Sequence, residues 1–333
     1  MRKIAIHGFG RIGRSTLKAA LETDQFVPVA ISDIKDLDNL AALFAYDSNY
    51  GRYHQPVKVV DGKLHIGPHT IEYIDATKEL PDWASLGVEV IIDSTGRATT
   101  RPNAEAHLAR GAKKVLVSAA SKSLKDCDAV LLPGINLDYY DPREHHIVSM
   151  ASCTTNALAP VVKVLRENFG IQTGFFSTVH AYTNTQSLTD QPMKDRRDSW
   201  AAAENIIPSS SGAAKALKFI WPDLSITGKA YRVPTRTGSI VELNVLLNRE
   251  TTPDEVKDLF RAAASTAPLQ GVMDVLEGEY ASSRIIGDPH SSLVDLPLVQ
   301  VQNGNFLSIA AWYDNEMGYS TRLAETGHLL AEK

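Results

Sequence analysis

Cys153 stands between a strand-like apolar run, Ile147-Val148, and a helix-like run from Leu158 to Phe169, inside Ser152-Cys153-Thr154-Thr155-Asn156. A thiol at a helix start meets unpaired backbone N–H groups and the positive end of the macrodipole, and both favour the thiolate. The position therefore predicts a lowered thiol pKa and a nucleophile, although an isolated helix-start cysteine is more often an inert buried thiol. His180 ends a strand-like run, Gly174–His180, just before an irregular stretch over 181–201 rich in Thr, Asn, Gln, Asp and Arg. It is expected to pair with the thiolate as an imidazolium, then to serve as general base and acid. The hydroxyls of Thr154, Thr183, Thr185 and Ser211, the Gly212 amide and the Arg232 guanidinium supply donors suited to phosphate. Pro208-Ser-Ser-Ser-Gly212 precedes a helical run from Ala213 to Phe219, a second anion-binding N-terminus. A thiol, a base and anion ligands together suit acyl transfer through a thioester.

The other half of the chemistry lies at the N-terminus. Residues 2–13, RKIAIHGFGRIG, read as a short buried strand followed by Gly8-x-Gly10-x-x-Gly13 and a helix from Arg11 to about Glu22. In that context the glycines allow a tight turn, close approach of a pyrophosphate and helix–strand packing. A second strand, Val27 to Ser32, ends in Asp33, about twenty residues beyond the last glycine, where a carboxylate accepts from adenosine ribose hydroxyls and repels a 2′-phosphate. NAD is thus preferred over NADP. Apolar strands Val88–Ile92 and Lys114–Val117 end near Thr95-Gly96 and at Ser118, and ligands of open α/β sheets sit beyond such strand ends. Thr95, Gly96 and Ser118 are the candidate nicotinamide-side contacts. Hydride transfer to that ring would oxidise a Cys153 hemithioacetal to the thioester.

The elements around these residues define the fold class. The first half alternates strands and helices in the manner of a Rossmann-type parallel sheet, with a small antiparallel excursion at Val57–Val60, Lys63–Ile66 and Thr70–Ile74. Beyond Cys153 strands dominate, with helices at Pro253–Ala263 and Glu316–Glu332, predicting an α+β catalytic domain with a mixed or antiparallel sheet. The expected division is 1–152 for NAD binding and 153–315 for catalysis, with 316–333 packing back on the first domain. The 333 residues suffice for two cores, and 44% hydrophobic with 22% charged content is ordinary for a globular protein. A net charge of −5 argues against nucleic-acid or anionic-membrane partners. Two cysteines, Cys127 and Cys153, give neither a disulfide framework nor a thiolate metal site, and no His, Cys and carboxylate spacing suggests a metal. With no signal h-region and no run long enough to span a bilayer, the expected compartment is the cytoplasm.

Over essentially its whole length the sequence resembles phosphorylating glyceraldehyde-3-phosphate dehydrogenases. The motifs carrying the resemblance are GFGRIGR (8–14), SCTTN (152–156), HAYTNTQ (180–186), NIIPSSSGAAKA (205–216), RVPT (232–235) and WYDNE (312–316). The resemblance implies a homotetramer that reduces NAD, with a phospho-aldehyde substrate and inorganic phosphate as acyl acceptor. It implies Cys153 as nucleophile with His180 as its partner. It also implies NAD contacts at Arg11, Ile12, Asp33, Ser118 and Asn315, and two phosphate subsites drawn from Ser152, Thr154, Ser211, Gly212, Thr183 and Arg232. The chain departs from the family pattern at His7, usually Asn, at Thr77, usually an adenine-side arginine, and at Ala157, usually a second cysteine. Many relatives carry arginines where this chain has Asp198 and Trp200. Arg196, Arg197 or Arg236 could substitute, and an inward-pointing Asp198 would oppose a phosphate. Two other readings keep parts of this chemistry. One is oxidation of erythrose 4-phosphate or another phospho-aldehyde by the same Cys/His pair; the other is a non-catalytic NAD-binding oligomer that senses peroxide through Cys153.

Overall fold

The computed structural model describes residues 2–333. The chain folds as two compact units. One runs to Ala151 and takes up Ser320–Lys333; the other is Ser152–Tyr319.

In the first unit a nine-stranded sheet has the order β10-β11-β9-β8-β1-β2-β7-β6-β5. Its strands are β1 (Lys3–His7), β2 (Ala30–Asp33), β5 (Val57–Val60), β6 (Lys63–Ile66), β7 (His69–Asp75), β8 (Val88–Asp93), β9 (Lys114–Val117), β10 (Ala129–Val130) and β11 (Ile147–Ser149). Two short strands, β3 (Tyr46–Asp47) and β4 (Gly51–Arg52), pair separately. All ladders from β10 to β7 are parallel, and only β5 and β6 join antiparallel. The continuous apolar runs of β1, β8 and β9 fit this, because central parallel strands are covered on both faces. Helices α1 (Arg11–Glu22), α2 (Leu37–Ala45) and α3 (Arg101–Ala109) supply the crossovers. The order changes direction at β1, whose neighbours are β2 and β8. That switch point opens a crevice at the carboxyl ends of the strands.

The second unit holds an eight-stranded mixed sheet, β13-β14-β12-β15-β19-β17-β16, with β18 paired to β19. These are β12 (Ile171–Ala181), β13 (Ile207–Ser210), β14 (Ile226–Val233), β15 (Ser239–Leu247), β16 (Met273–Leu276), β17 (Ser292–Asp295), β18 (Gln300–Gln302) and β19 (Phe306–Tyr313). Helices α4 (Cys153–Asn168), α5 (Ala213–Ile220) and α6 (Pro253–Ala264) accompany it, and α7 (Met317–Glu332) ends the chain. Buried Phe176, Thr178, His180, Val241, Leu243, Val245 and Ile309 line one face of the sheet. Phe175, Val179 and Phe306 lie on the other face and stay exposed.

Most element limits differ from the sequence-based ones by a few residues. The largest differences have clear causes. Helix α4 begins at Cys153 rather than near Leu158, because Ser152 caps it by accepting from the Thr155 N–H at 3.1 Å. The 207–210 part of the serine-rich turn is an edge strand, paired antiparallel to β14 from Ile207↔Arg232 to Ser210↔Lys229. No helix among the described residues is long and apolar enough to cross a membrane.

Candidate active site and dinucleotide site

In the second unit Cys153 occupies the first position of α4, one residue after the cap. The preceding Ala151 has φ 54°, a left-handed conformation that a non-glycine residue adopts at a cost of about 1 kcal/mol or more. This sharp turn converts strand β11 into the helix that presents the thiol. Cys153 Sγ lies 3.3 Å from His180 Nε2. His180 is the penultimate residue of β12, in parallel register with Arg232 on β14. Paired residues share a sheet face, so the register brings the guanidinium beside the imidazole, and Arg232 Nη1 lies 2.6 Å from His180 Nδ1.

Nδ1 has a second partner, the Ala181 carbonyl oxygen at 2.6 Å. A single nitrogen cannot both donate to that carbonyl and accept from the arginine, so each contact belongs to one tautomer. With the proton on Nδ1 the ring donates to Ala181, and Nε2 is a free base facing the sulfur. With the proton on Nε2 the ring donates to the sulfur, and Nδ1 accepts from Arg232.

The electrostatics differ from the sequence-based expectation of an imidazolium–thiolate pair. Burial pushes the Cys153 thiol up, against the opposing pull of the Arg232 guanidinium and of hydrogen bonds at Thr154 and Cys153. Burial and the Arg232 charge push His180 down to about 3. The loss of water around both groups, with the cation on the far side of the ring, outweighs the helix start. The imidazole is neutral, and the positive partner available to a thiolate here is Arg232. The buried Nε of Arg232 has no hydrogen-bond partner among the described residues.

Hydroxyl groups around the dyad form two networks. Thr154 Oγ1 lies 3.0 Å from the Tyr313 hydroxyl, which lies 2.8 Å from Thr178 Oγ1, and Thr178 donates to the Ile240 carbonyl at 3.1 Å. One proton per hydroxyl satisfies all three contacts only in the direction Thr154, Tyr313, Thr178, Ile240. Tyr313, fully buried, also meets the His180 ring edge-on at 5.9 Å between centroids. In the second network Gln186 Oε1 accepts from the Thr183 N–H at 2.8 Å and from the Thr183 hydroxyl at 3.2 Å. Gln186 Nε2 donates to Thr185 Oγ1 at 2.9 Å and to Asp198 Oδ1 at 3.0 Å. Arg196 and Arg197 are exposed, so the residue turned toward this turn is Asp198. Ser211 accepts from the Ala213 N–H at 3.3 Å, and Gly212 starts α5 with open space at its Cα and no side-chain cap. The structure joins Thr154 to the dyad through Tyr313. Ser211 and Gly212 follow the edge strand beside Arg232 with no hydrogen bond to the dyad. The sequence singles out neither Tyr313 in the first network nor the Gln186–Asp198 contact in the second; the hydroxyl-rich composition of 180–186 is the available signal for the second.

Asn315 Oδ1 accepts from Ser239 Oγ at 2.8 Å, while the Thr237 hydroxyl donates to Asp314 Oδ1 at 2.8 Å with Asn315 Oδ1 a longer contact at 3.3 Å, and the Asn315 NH2 has no hydrogen-bond partner among the described residues.

In the first unit the glycine turn has the shape a dinucleotide requires. Gly8 has φ 88°, and a Cβ on Gly13 would collide with the Gly8 carbonyl oxygen, whereas the space over Gly10 is open. Ser94 Oγ donates to the Gly8 carbonyl at 2.6 Å and ties the turn to the end of β8. Helix α1 has neither a side-chain cap nor an acidic residue in its first turn, so its N-terminus suits an anion. The Arg11 side chain pairs with Asp47 at 3.1 Å. Asp33 accepts from Phe9 N–H at 2.6 Å, Ile34 N–H at 2.7 Å and Lys35 N–H at 3.1 Å. It is therefore a turn residue as well as a ribose candidate, with about one of its four acceptor sites left. The Thr95 hydroxyl and N–H both go to Asp93, Gly96 is open at φ 72°, and Ser118 N–H donates to the Asp93 carbonyl at 2.9 Å. These features fit NAD: a glycine turn with open space at Gly10, a helix start without a side-chain cap and one carboxylate at the end of β2.

Below this turn His7, Asp93 and His107 are the one group of potential metal ligands among the described residues. Trp83 Nε1–H donates to His107 Nδ1 at 3.1 Å, which places the ring proton on Nε2, 3.1 Å from Asp93 Oδ2. With both nitrogens of His107 engaged, the group is a hydrogen-bonded relay and not an open ligand set.

Two family models match the chain: the glyceraldehyde 3-phosphate dehydrogenase NAD binding domain over residues 2–101 and the C-terminal domain over residues 152–315. Glyceraldehyde-3-phosphate dehydrogenase of Kitasatospora aureofaciens is 48% identical over 339 residues, covering 100% of both chains. Identity is 45% to the enzyme of that name from Streptomyces coelicolor, over 97% of this chain and 96% of the relative. It is 42% to that of Geobacillus stearothermophilus, over 99% and 98%. The chain belongs to the glyceraldehyde 3-phosphate dehydrogenase family. Within that family its NAD binding domain is built on the glycine turn, and its C-terminal domain carries Cys153, His180 and Arg232.

Proposed function

We propose that this protein catalyses NAD-dependent, phosphorylating oxidation of glyceraldehyde 3-phosphate to 1,3-bisphosphoglycerate. The observation that carries the reading is the 3.3 Å approach of Cys153 Sγ to His180 Nε2 at a helix N-terminus, in a chain with a dinucleotide cradle. Cys153 sulfur adds to the aldehyde carbon as its thiol proton passes to His180 Nε2; the carbonyl π bond opens and its oxygen takes that proton from the ring. His180, neutral, then removes that proton through Nε2 as the C–H bond gives up its hydride. Bound NAD supplies the hydride acceptor. Inorganic phosphate attacks the resulting Cys153 thioester, the acyl–sulfur bond breaks, and Arg232 together with the first α4 N–H groups stabilises the departing thiolate.

Ser152, Thr154, Thr183, Ser211, Gly212 and Arg232 serve the substrate phosphate and the inorganic phosphate. Supporting this are the unpartnered Nε of Arg232 and the uncapped start of α5 at Gly212. Gly8, Gly10, Gly13, Arg11 and Ile12 hold the pyrophosphate, and Asp33 accepts from a ribose hydroxyl. Thr95, Gly96 and Ser118 contact the nicotinamide side, and Asn315 is a further NAD contact. The protein works as a cytoplasmic homotetramer with residues 1–152 and 316–333 as its NAD half. The exposed, non-polar Phe175, Val179 and Phe306 on one face of the second sheet favour burial against another copy.

Initial rates with glyceraldehyde 3-phosphate and NAD, with inorganic phosphate varied, test the activity. NADH formation that saturates with phosphate is expected. Turnover independent of phosphate, or faster on erythrose 4-phosphate, contradicts the assignment. Light scattering after size exclusion tests the oligomer, and a monomer or dimer mass contradicts it.

A further inference from the structure

Asp198 sits where a carboxylate works against the neighbouring chemistry. It accepts from Gln186 Nε2, and the other proton of that amide goes to Thr185 Oγ1. Two contacts at most separate the Asp198 charge from the hydroxyls of the 183–185 turn. A carboxylate only accepts, so it compels the Gln186 NH2 to face it, which turns Oε1 toward Thr183. Oε1 then accepts from the Thr183 N–H and lies 3.2 Å from the Thr183 hydroxyl, which is also 3.0 Å from Thr185 Oγ1, so either acceptor keeps the hydroxyl proton within the turn. Both donors that Thr183 offers are held inward. The adjacent cations do not compensate: Arg196 and Arg197 are exposed on the short helical turn Arg196–Ser199 that carries Asp198.

We propose that Asp198 is a specificity-determining residue that weakens binding of the substrate phosphate at the Thr183–Thr185 turn. It acts by charge repulsion and by fixing the Gln186 amide so that Thr183 keeps its donors turned inward. This rests on the reading of that turn as a phosphate subsite. Asp198 is therefore a positioning residue, and its removal strengthens phosphate binding while the dyad chemistry is left alone. At the separation set by two hydrogen bonds, with the screening of a partly exposed site, one negative charge facing a phosphate changes its affinity by about five- to tenfold.

The test is initial-rate kinetics of the full-length protein and of the Asp198→Asn and Asp198→Ala variants, at saturating NAD and inorganic phosphate. Each is assayed with glyceraldehyde 3-phosphate and with unphosphorylated glyceraldehyde. Both variants are expected to lower KM for glyceraldehyde 3-phosphate by about five- to tenfold, with kcat and the glyceraldehyde KM within about twofold. Asp198→Asn like the parent, with Asp198→Ala poorer on both aldehydes, would make Asp198 a plain buttress and overturn the proposal. An equal KM change on both aldehydes overturns it too, because no phosphate is being sensed. If the parent itself binds both aldehydes equally well, the phosphate subsite falls and takes the proposal with it.

Discussion

Arg232 Nη1 lies 2.6 Å from His180 Nδ1, while the other ring nitrogen, Nε2, faces Cys153 Sγ at 3.3 Å. Burial, joined by the guanidinium charge, keeps the imidazole neutral, and Arg232 lends its own charge to the thiolate. A base that works unprotonated loses function as pH falls through its pKa. With His180 at about 3, the acid limb of kcat/KM set by this group lies far below neutrality. In Arg232→Gln the limb should move up, while burial, the larger cause, still holds it below the ordinary histidine range of about 6.5. Alkylation of Cys153 by iodoacetamide at fixed pH should slow as well, because the thiolate loses its cation. The pH profile of kcat/KM checks this, and an unmoved acid limb would show that Arg232 does not control the ring.

Asp33 binds three backbone N–H groups and has about one acceptor site left. Asp33→Ala is expected to raise the dissociation constant for NAD about tenfold and to narrow the gap between NAD and NADP. It should also cost about 1–3 kcal/mol of stability, because the Phe9, Ile34 and Lys35 N–H groups lose their partner. Titration calorimetry with both cofactors, alongside urea unfolding, separates the two roles. A stability loss with unchanged cofactor discrimination would leave Asp33 as a turn residue alone.

Tyr313 links Thr154 to Thr178 through its hydroxyl. In Tyr313→Phe the ring is kept while two hydroxyls lose a partner, so unfolding should cost about 1–3 kcal/mol less than in the parent. Thr154, freed beside Cys153, should lower kcat more than it alters KM for the aldehyde. Denaturant melts and steady-state rates check both parts, and a variant matching the parent in both would remove the hydroxyl chain from the account.

The fold class was legible because the patterns are local. Uninterrupted apolar strands Val88–Ile92 and Lys114–Val117 signal a covered parallel sheet, and Gly8, Gly10 and Gly13 punctuate a strand-to-helix turn. The Cys153 helix start was legible for the same reason, since small hydroxylated residues separate two apolar runs. The charge state of the dyad was not. It depends on burial and on the register His180↔Arg232 between strands separated by dozens of residues. The orientation of Asp198 was equally hidden, because the Gln186 amide that fixes it lies twelve residues away across an irregular loop. The strand over 207–210 was masked by serines, which favour turns until an edge pairing such as Ile207↔Arg232 overrides them. What distant strands and loops bring together is set by tertiary register, and residue type reports it poorly.

In the proposed reaction Cys153 carries the acyl group between aldehyde and phosphate. Rapid mixing of the protein with NAD and glyceraldehyde 3-phosphate in the absence of inorganic phosphate tests it most directly, with intact mass analysis of the quenched protein. A burst of about one NADH per chain is expected, with an acyl adduct at Cys153 that is released on adding phosphate, and neither burst nor adduct in Cys153→Ser. Steady NADH formation without any adduct, or a burst retained in Cys153→Ser, would contradict it.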